Sequence, residues 1–217
     1  MKLLVFDTET TGLPPKNTPL TSTDAWPYIV QLSYIVYDTE KQCVLLLHDH
    51  IIKCAVPIPV ESSKIHGITD VLSQDKGLNL IALLPDFLKA AENVDLIIAH
   101  NLSFDRDLIS VECQRLGINY DAFINQPMYC TMKSNINRCA LARQNKMGNT
   151  YFKFPTLAEL HYHLFQIWPE GMHNAKADVL ICLRCYVKMN HRTDIAALFP
   201  DMFEDYIDTN PFVKCCI

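Results

Sequence analysis

Lys2-Leu3-Leu4-Val5-Phe6-Asp7-Thr8-Glu9 runs four apolar residues straight into two acids. An apolar run of this kind marks a strand buried on both faces. Alternate residues of a strand share a face, so the Asp7 and Glu9 carboxylates point into one space at the strand's end. A solvated strand end would account for Asp-x-Glu by itself; what other segments bring to the same place decides between the two. Thr11-Gly12 and Pro14-Pro15 break the strand, and the Pro-, Thr- and Ser-rich stretch to Pro27 reads as a surface loop.

Working outward, Tyr28–Tyr37 and Cys43–Lys53 are β-branched and aromatic runs flanking Asp38-Thr-Glu-Lys, which predicts an antiparallel hairpin. Residues 61–92 read as helix in two pieces, because Gly77 and Pro85 argue against one. Asp95–His100 is a second short buried strand, and Ser103 to Gly117 carries helical spacing that stops at glycine. Met128–Thr131 reads as a last short strand. Helices are expected over 156–167, with Thr156 as N-cap, and over 174–190. Strands early, helices late and alternation between them give an α/β layer fold with a mixed sheet. One domain spans residues 1–190, and 191–217 is an amphipathic tail expected to pack on it.

The 217 residues are 49% hydrophobic and 20% charged, enough apolar content for a sizeable core and too much for a disordered chain. Nineteen basic residues against 24 acidic ones leave a net charge of −5 and a pI of 5.9. Such a chain cannot grip a polyanion through its global field, so a local patch or bound cations must do it. No apolar run reaches the length of a membrane span, and Asp7 and Glu9 end the first run too soon for an export signal. The expectation is a soluble intracellular protein of cytoplasm or nucleus, with no membrane partner. Nine cysteines without an export signal read as reduced thiols. Cys182 and Cys185 fall on a helical repeat and read as packing, and Lys214 occupies the position where a prenylation signal would need cysteine.

Two further segments carry acids to element starts. Asn101-Leu-Ser-Phe104-Asp105 follows the second buried strand and opens a helix; a bland reading has Asn101 or Ser103 capping it and Asp105 complementing its dipole. His173-Asn-Ala-Lys-Ala-Asp178 precedes the last helix. Taken together, four acids and a histidine lie at strand ends and helix starts, as a site at the edge of an open α/β sheet requires. Clustered carboxylates repel one another unless cations neutralise them, and all-oxygen ligation suits Mg²⁺ or Mn²⁺. Two such ions roughly 3.5–4 Å apart serve the attacking and leaving oxygens of a phosphoryl displacement, with the histidine as proton acceptor.

Val5-Phe-Asp7-Thr-Glu9-Thr-Thr-Gly12-Leu13, His100-Asn101-x-x-Phe104-Asp105 and His173-x-Ala175-x-x-Asp178 resemble, in order and spacing, the three motifs of the DnaQ-like (DEDDh) 3′→5′ exonuclease family. Ile29-Val-Gln31-Leu, Lys64-Ile65-His66-Gly67-Ile68-Thr69 and Phe154-Pro-Thr-Leu157-x-Glu159-Leu160 extend the resemblance over roughly residues 1–190. It implies an RNase H-like mixed five-stranded sheet flanked by helices, and metal-dependent release of nucleoside 5′-monophosphates from a 3′ end. Position by position, it implies that Asp7 bridges two metals, that Glu9 and Asp178 complete the tighter site, and that Asp105 holds the second metal through water. His173 becomes the general base, on a loop. Thr10 would offer its backbone N–H to the terminal 3′-hydroxyl, Leu13 and Ile65 would flank the terminal base, and His66 and Asn101 would contact nucleotide. For these four side chains a plain structural role competes. Many relatives carry an acid where this chain has Cys130-Thr131-Met132, a departure outside the metal ligands.

Between Thr131 and Pro155 lie Lys133, Arg138, Arg143, Lys146 and Lys153, with no acid and with Tyr151, Phe152 and Phe154 at the end. A basic loop leading into aromatics fits a single-strand groove, with Arg138, Arg143 and Lys146 tracking the phosphates. The expected substrate is the 3′ end of single-stranded or frayed DNA in preference to RNA, with a polymerase or repair partner in trans. The rivals are an exoribonuclease acting on short RNA and a nuclease-fold accessory module without chemistry.

Overall fold

In the computed structural model, which describes residues 1–207, the opening run forms β1 (Lys2–Thr10), followed by β2 (Ile29–Asp38) and β3 (Cys43–Ile51). Helices α1 (Val60–His66), α2 (Asp70–Lys76) and α3 (Leu80–Glu92) lead into β4 (Leu96–Ala99). Helices α4 (Leu102–Leu116) and α5 (Asp121–Ile124) precede β5 (Met128–Cys130). After α6 (Ile136–Cys139), the hairpin β6 (Ala142–Gln144) and β7 (Thr150–Phe152) stands apart from the main sheet. Helices α7 (Leu157–Phe165), α8 (Ala175–His191), α9 (Ile195–Leu198) and α10 (Pro200–Phe203) complete the described chain. The end of the expected tail, with Asp208, Phe212 and Cys215-Cys216, lies outside the described residues.

The sheet order is β3-β2-β1-β4-β5, with β1, β2 and β3 antiparallel and β4 and β5 parallel to β1. This is the mixed five-stranded sheet expected, flanked by helices. Strand β1 lies at its centre because its alternation feeds two cores. Leu4 and Phe6 pack with Leu84, Phe87 and Phe123 beneath α3, α4 and α5; Leu3 and Val5 pack with Val179, Leu180 and Leu183 of α8. Phe6 meets the rings of Phe87 and Phe123 at centroid distances of 5.3 and 6.0 Å. Burying one such ring is worth about 1.5–3 kcal/mol, which fixes the register of β1.

Residues 61–92 form three helices rather than two. Gly67 ends α1 in the left-handed region (φ 75°), and the Gly77 N–H closes α2 on the Ser73 carbonyl. A Cβ at Gly77 would meet the Lys53 backbone nitrogen at 2.5 Å, so the chain turns there against β3's exit. Pro85 does not break α3: it sits on the exposed side while Leu84, Phe87, Leu88 and Ala91 bury the other. Thr156 caps α7 as expected, in a reciprocal capping box with Glu159. Ile195, Phe203 and Ile207 are buried against the α8 core. The cysteines of the described residues are free thiols, and burial pushes Cys182 and Cys185 up, keeping them protonated. No helix among the described residues is long and apolar enough to cross a membrane.

Candidate active site

The alternation of β1 assigns the acids their places. Asp7 and Glu9 follow Leu3 and Val5 onto the face covered by α8, and the first turn of α8 supplies Asp178. One carboxylate oxygen from each of Asp7, Glu9 and Asp178 lies within 4.8 Å of the others. Thr8 faces the opposite side, toward α4. There Asp105, in the first turn of α4 and 3% exposed, accepts on Oδ1 from the Thr8 N–H at 3.1 Å and from its hydroxyl at 2.7 Å. Asp105 is therefore anchored to β1 rather than complementing a helix dipole in solvent.

The start of α8 is fixed by two polar side chains. Asn174 caps it, its Oδ1 accepting from the N–H groups of Lys176 and Ala177, and Gln31 of β2 accepts from the Ala175 N–H at 3.2 Å. His173 lies in the preceding loop with a left-handed backbone (φ 66°), and its N–H donates to Asp178 Oδ2 at 3.1 Å.

Burial pushes the Asp7 carboxyl well above the usual range, aided by the charges of Asp105, Asp178 and Glu9. Burial raises Glu9 to about 8, with Asp178 and Asp105 adding to it. Burial also lifts Asp105 to about 7 against the lowering pull of the Thr8 bonds, and Asp178 to about 7 against that of the His173 N–H. Among the described residues none of these acids forms an ion pair with lysine or arginine. Acids gathered from three elements without a cationic side chain fit hard divalent cations, which would hold them ionised.

The acids open into a cavity of about 610 Å³ whose wall also includes Leu13, Asn101, His173, Phe104 and Phe154. Asn101 occupies the N-cap position of α4 but is left-handed (φ 62°) and makes no side-chain cap bond. Leu13 is 81% exposed at the mouth, and Ile65 is exposed on α1. Thr10 lies at a register shift of β1 and is buried, its hydroxyl donating to the Gly12 carbonyl. His66 is buried, with Nδ1 accepting from the Ile68 N–H and Nε2 without a partner among the described residues. Arg138, Arg143 and Lys146 are outside the cavity wall. The basic interval is the β6–β7 hairpin and its approaches rather than a plain loop, and Arg138 donates to Asn135. Lys153, read as part of the same patch, is committed to an ion pair with Glu159.

Three positioning residues received no role from the motifs, although the first had a signal of its own. Thr8 was legible, since a polar residue between two acids on a buried strand must face the other side. Gln31 had no local signal for its bond to α8. His100 bridges Thr131 and the Pro155 carbonyl at 2.9 and 3.1 Å, and burial lowers it to about 4, so it is a neutral brace between β4 and the Phe154 segment.

A family model described as Exonuclease, RNase_T, matches residues 4–186. A DNA polymerase III PolC-type of Caldanaerobacter subterraneus subsp. tengcongensis is 23% identical over 188 residues, which are 87% of this chain and 11% of that protein. A DNA polymerase III subunit epsilon-like protein of Rhodobacter capsulatus is 30% identical over 128 residues, 56% of this chain and 16% of that one. Among solved structures, the zinc ion bound form of the E. coli ExoI–ssDNA complex superposes with a TM-score of 0.63 at 20% identity, over 92% of this chain and 43% of that one. The chain thus spans less than half the length of each of these relatives.

Proposed function

The chain belongs to the RNase_T exonuclease family, a DnaQ-like group with an RNase H-like fold, and from that premise we propose that it removes nucleotides one at a time from the 3′ end of single-stranded or frayed DNA. The observation that carries this reading is the convergence of Asp7, Glu9 and Asp178 within 4.8 Å, with Asp105 fixed on the same cavity through Thr8. Asp7, Glu9 and Asp178 would hold one divalent cation, Mg²⁺ or Mn²⁺, and Asp7 with Asp105 a second. When bound, such ions supply the positive charge that a phosphodiester dianion-like transition state demands.

The chain's own groups do the rest. His173 accepts the proton of the attacking water as its oxygen bonds to phosphorus; the bond from phosphorus to the 3′-oxygen of the penultimate nucleotide breaks, that oxygen takes a proton from solvent to become the new 3′-hydroxyl, and a nucleoside 5′-monophosphate is released. The apolar wall of Leu13, Phe104 and Phe154 receives the terminal base without regard to its identity, since every base offers a π-face. Arg138, Arg143 and Lys146, outside the cavity, would engage phosphates further along the strand; Asn101, on the cavity wall, would border the terminal nucleotide, and Thr10, Ile65 and His66, which stand outside the wall, would reach it from the mouth. The DNA polymerase and ExoI–ssDNA relatives support DNA over RNA, and the two polymerase III relatives support a polymerase as the partner.

The test uses 3′- and 5′-labelled DNA and RNA oligonucleotides with Mg²⁺, Mn²⁺ or EDTA. Labelled mononucleotide released from the 3′ end of DNA, and lost with EDTA or Asp7→Ala, is the expected outcome. Faster release from RNA would transfer the substrate to that class, and binding without cleavage under every metal would contradict the enzymatic reading.

A further inference from the structure

His173 is an exposed side chain on a loop, and among the described residues its own anchorage is the single bond from its N–H to Asp178. A proton acceptor must nevertheless be held close to one geometry, because a misplacement of about 1 Å can cost on the order of a hundredfold in rate. The loop's order therefore has to come from somewhere else. Residues 166–174, between α7 and α8, are tied at three points. His161, fully buried, bonds the Ile167 carbonyl through Nδ1 at 2.9 Å. The rings of Tyr162 and Trp168 stack with centroids 4.5 Å apart. Nearest to His173, the Glu170 N–H donates to the Tyr206 carbonyl at 2.7 Å, and Gly171 (φ 66°) lies so close to the Tyr206 ring that a Cβ would meet it at 3.1 Å.

Resting on the reading of His173 as general base, we infer that Tyr206 is a positioning residue for it: the segment after α8 clamps the His173 loop through Glu170 and Gly171. The clamp is itself rigidly founded. Phe203 and Ile207, on either side of Tyr206, are buried in the α8 core, and the Tyr206 N–H donates to the Phe203 carbonyl at 2.9 Å. At the segment's start, Asp194 takes both arms of the Arg184 fork at 2.8 and 2.7 Å, and the same guanidinium reaches His161 Nε2 at 2.8 Å. One ion-paired network thus joins the first anchor of the loop, His161, to the start of the segment that ends at Tyr206, and only Met172 separates Gly171 from His173. A loop held by backbone and ring contacts, rather than by the Tyr206 hydroxyl, also defines which substitution it tolerates.

The experiment is a double-mutant cycle on the full chain with Mn²⁺ and a 3′-labelled DNA oligonucleotide. Tyr206→Ala is expected to lower kcat on the order of 10- to 100-fold, with KM and Mn²⁺ affinity by titration calorimetry unchanged. Tyr206→Phe, which keeps the ring against Gly171, retains normal kcat; the main-chain carbonyl that Glu170 bonds is common to both variants. In the His173→Ala background, Tyr206→Ala costs nothing further, because its effect runs through the missing imidazole. Amide hydrogen exchange of residues 168–174 rises in Tyr206→Ala, while exchange of β1 does not. Additive losses in the two backgrounds, or normal kcat in Tyr206→Ala, overturn the proposal. A His173→Ala enzyme of near-normal rate removes the base assignment and the clamp's catalytic purpose together, whereas additivity removes the clamp alone. Should Tyr206→Ala fail to fold, Tyr206→Leu, which keeps an apolar side chain but takes the ring away from Gly171, must show the same split; an unchanged kcat there overturns the proposal.

Discussion

Thr8→Val removes one hydroxyl from the buried strand between the two acids of β1 and leaves its packing nearly intact. In the native protein that hydroxyl makes the shorter of the two bonds Thr8 gives Asp105, 2.7 Å against 3.1 Å from the N–H. A hydrogen bond to a charged group is worth about 1.5–3 kcal/mol. At about 1.4 kcal/mol for each pKa unit, its loss raises the Asp105 pKa by about one to two, from a value already lifted to about 7. At neutral pH the variant's Asp105 is then protonated in the metal-free protein, and a cation must displace that proton. The second Mn²⁺ should bind roughly ten- to a hundredfold more weakly, with the deficit shrinking as pH rises. Titration calorimetry with Mn²⁺, and turnover of a 3′-labelled oligonucleotide across Mn²⁺ concentrations, measure this directly. Thr8→Ser keeps the hydroxyl and should behave like the native protein. Native Mn²⁺ affinity in Thr8→Val, or equal damage from Thr8→Ser, would refute the role assigned to this bond.

Four further outcomes are expected. The raised carboxyl pKa values mean that the folded, metal-free protein holds more protons than the unfolded chain between the ordinary carboxylate range near 4 and about 8. Its stability should accordingly fall as pH rises through that window, and Mg²⁺ or Mn²⁺ should raise Tm more at the alkaline end; a metal-induced shift independent of pH would argue against the cluster. His173→Ala should lose most of its turnover while keeping calorimetric Mn²⁺ binding, and a near-native rate would remove it as the proton acceptor. Neutralising Arg138, Arg143 and Lys146 should flatten the salt dependence of single-strand binding, by about 0.7 in logarithmic slope for each phosphate no longer neutralised; an unchanged slope would take the hairpin out of the substrate path. Thr156→Ala breaks the α7 capping box and should cost about 1 kcal/mol in denaturant unfolding, with no loss if the cap were ornamental.

What the sequence made legible follows from how local its signals are. Leu3–Phe6 declared a strand because being buried on both faces leaves no room for a polar residue, and the same alternation put Asp7 and Glu9 together. Gly117 marked the end of α4 because a left-handed C-cap favours glycine. The hidden parts are those that depend on tertiary packing. Pro85 reads as a break in one dimension, yet the helix runs through it, since the buried Leu84–Phe87–Leu88 face outweighs one missing bond. Asn101 reads as a cap, yet the turn from β4 into α4 forces it into the left-handed region and turns its side chain away from that task. Lys153 reads as one more basic residue of a groove until Glu159 claims it. Gln31, His100 and Tyr206 act on partners 144, 55 and 36 residues away respectively, the first through Ala175, the second through Pro155 and the third through Glu170. No local pattern encodes such pairs.

The central claim is that Asp7, Glu9, Asp105 and Asp178 together create a place for two small dications beside the terminal phosphodiester. Anomalous diffraction from crystals grown with Mn²⁺ and a short DNA strand measures it most directly. One manganese peak among Asp7, Glu9 and Asp178, and a second between Asp7 and Asp105 next to the last phosphate, is the predicted result; carboxylates without manganese between them, or metal lodged elsewhere on the protein, would contradict it.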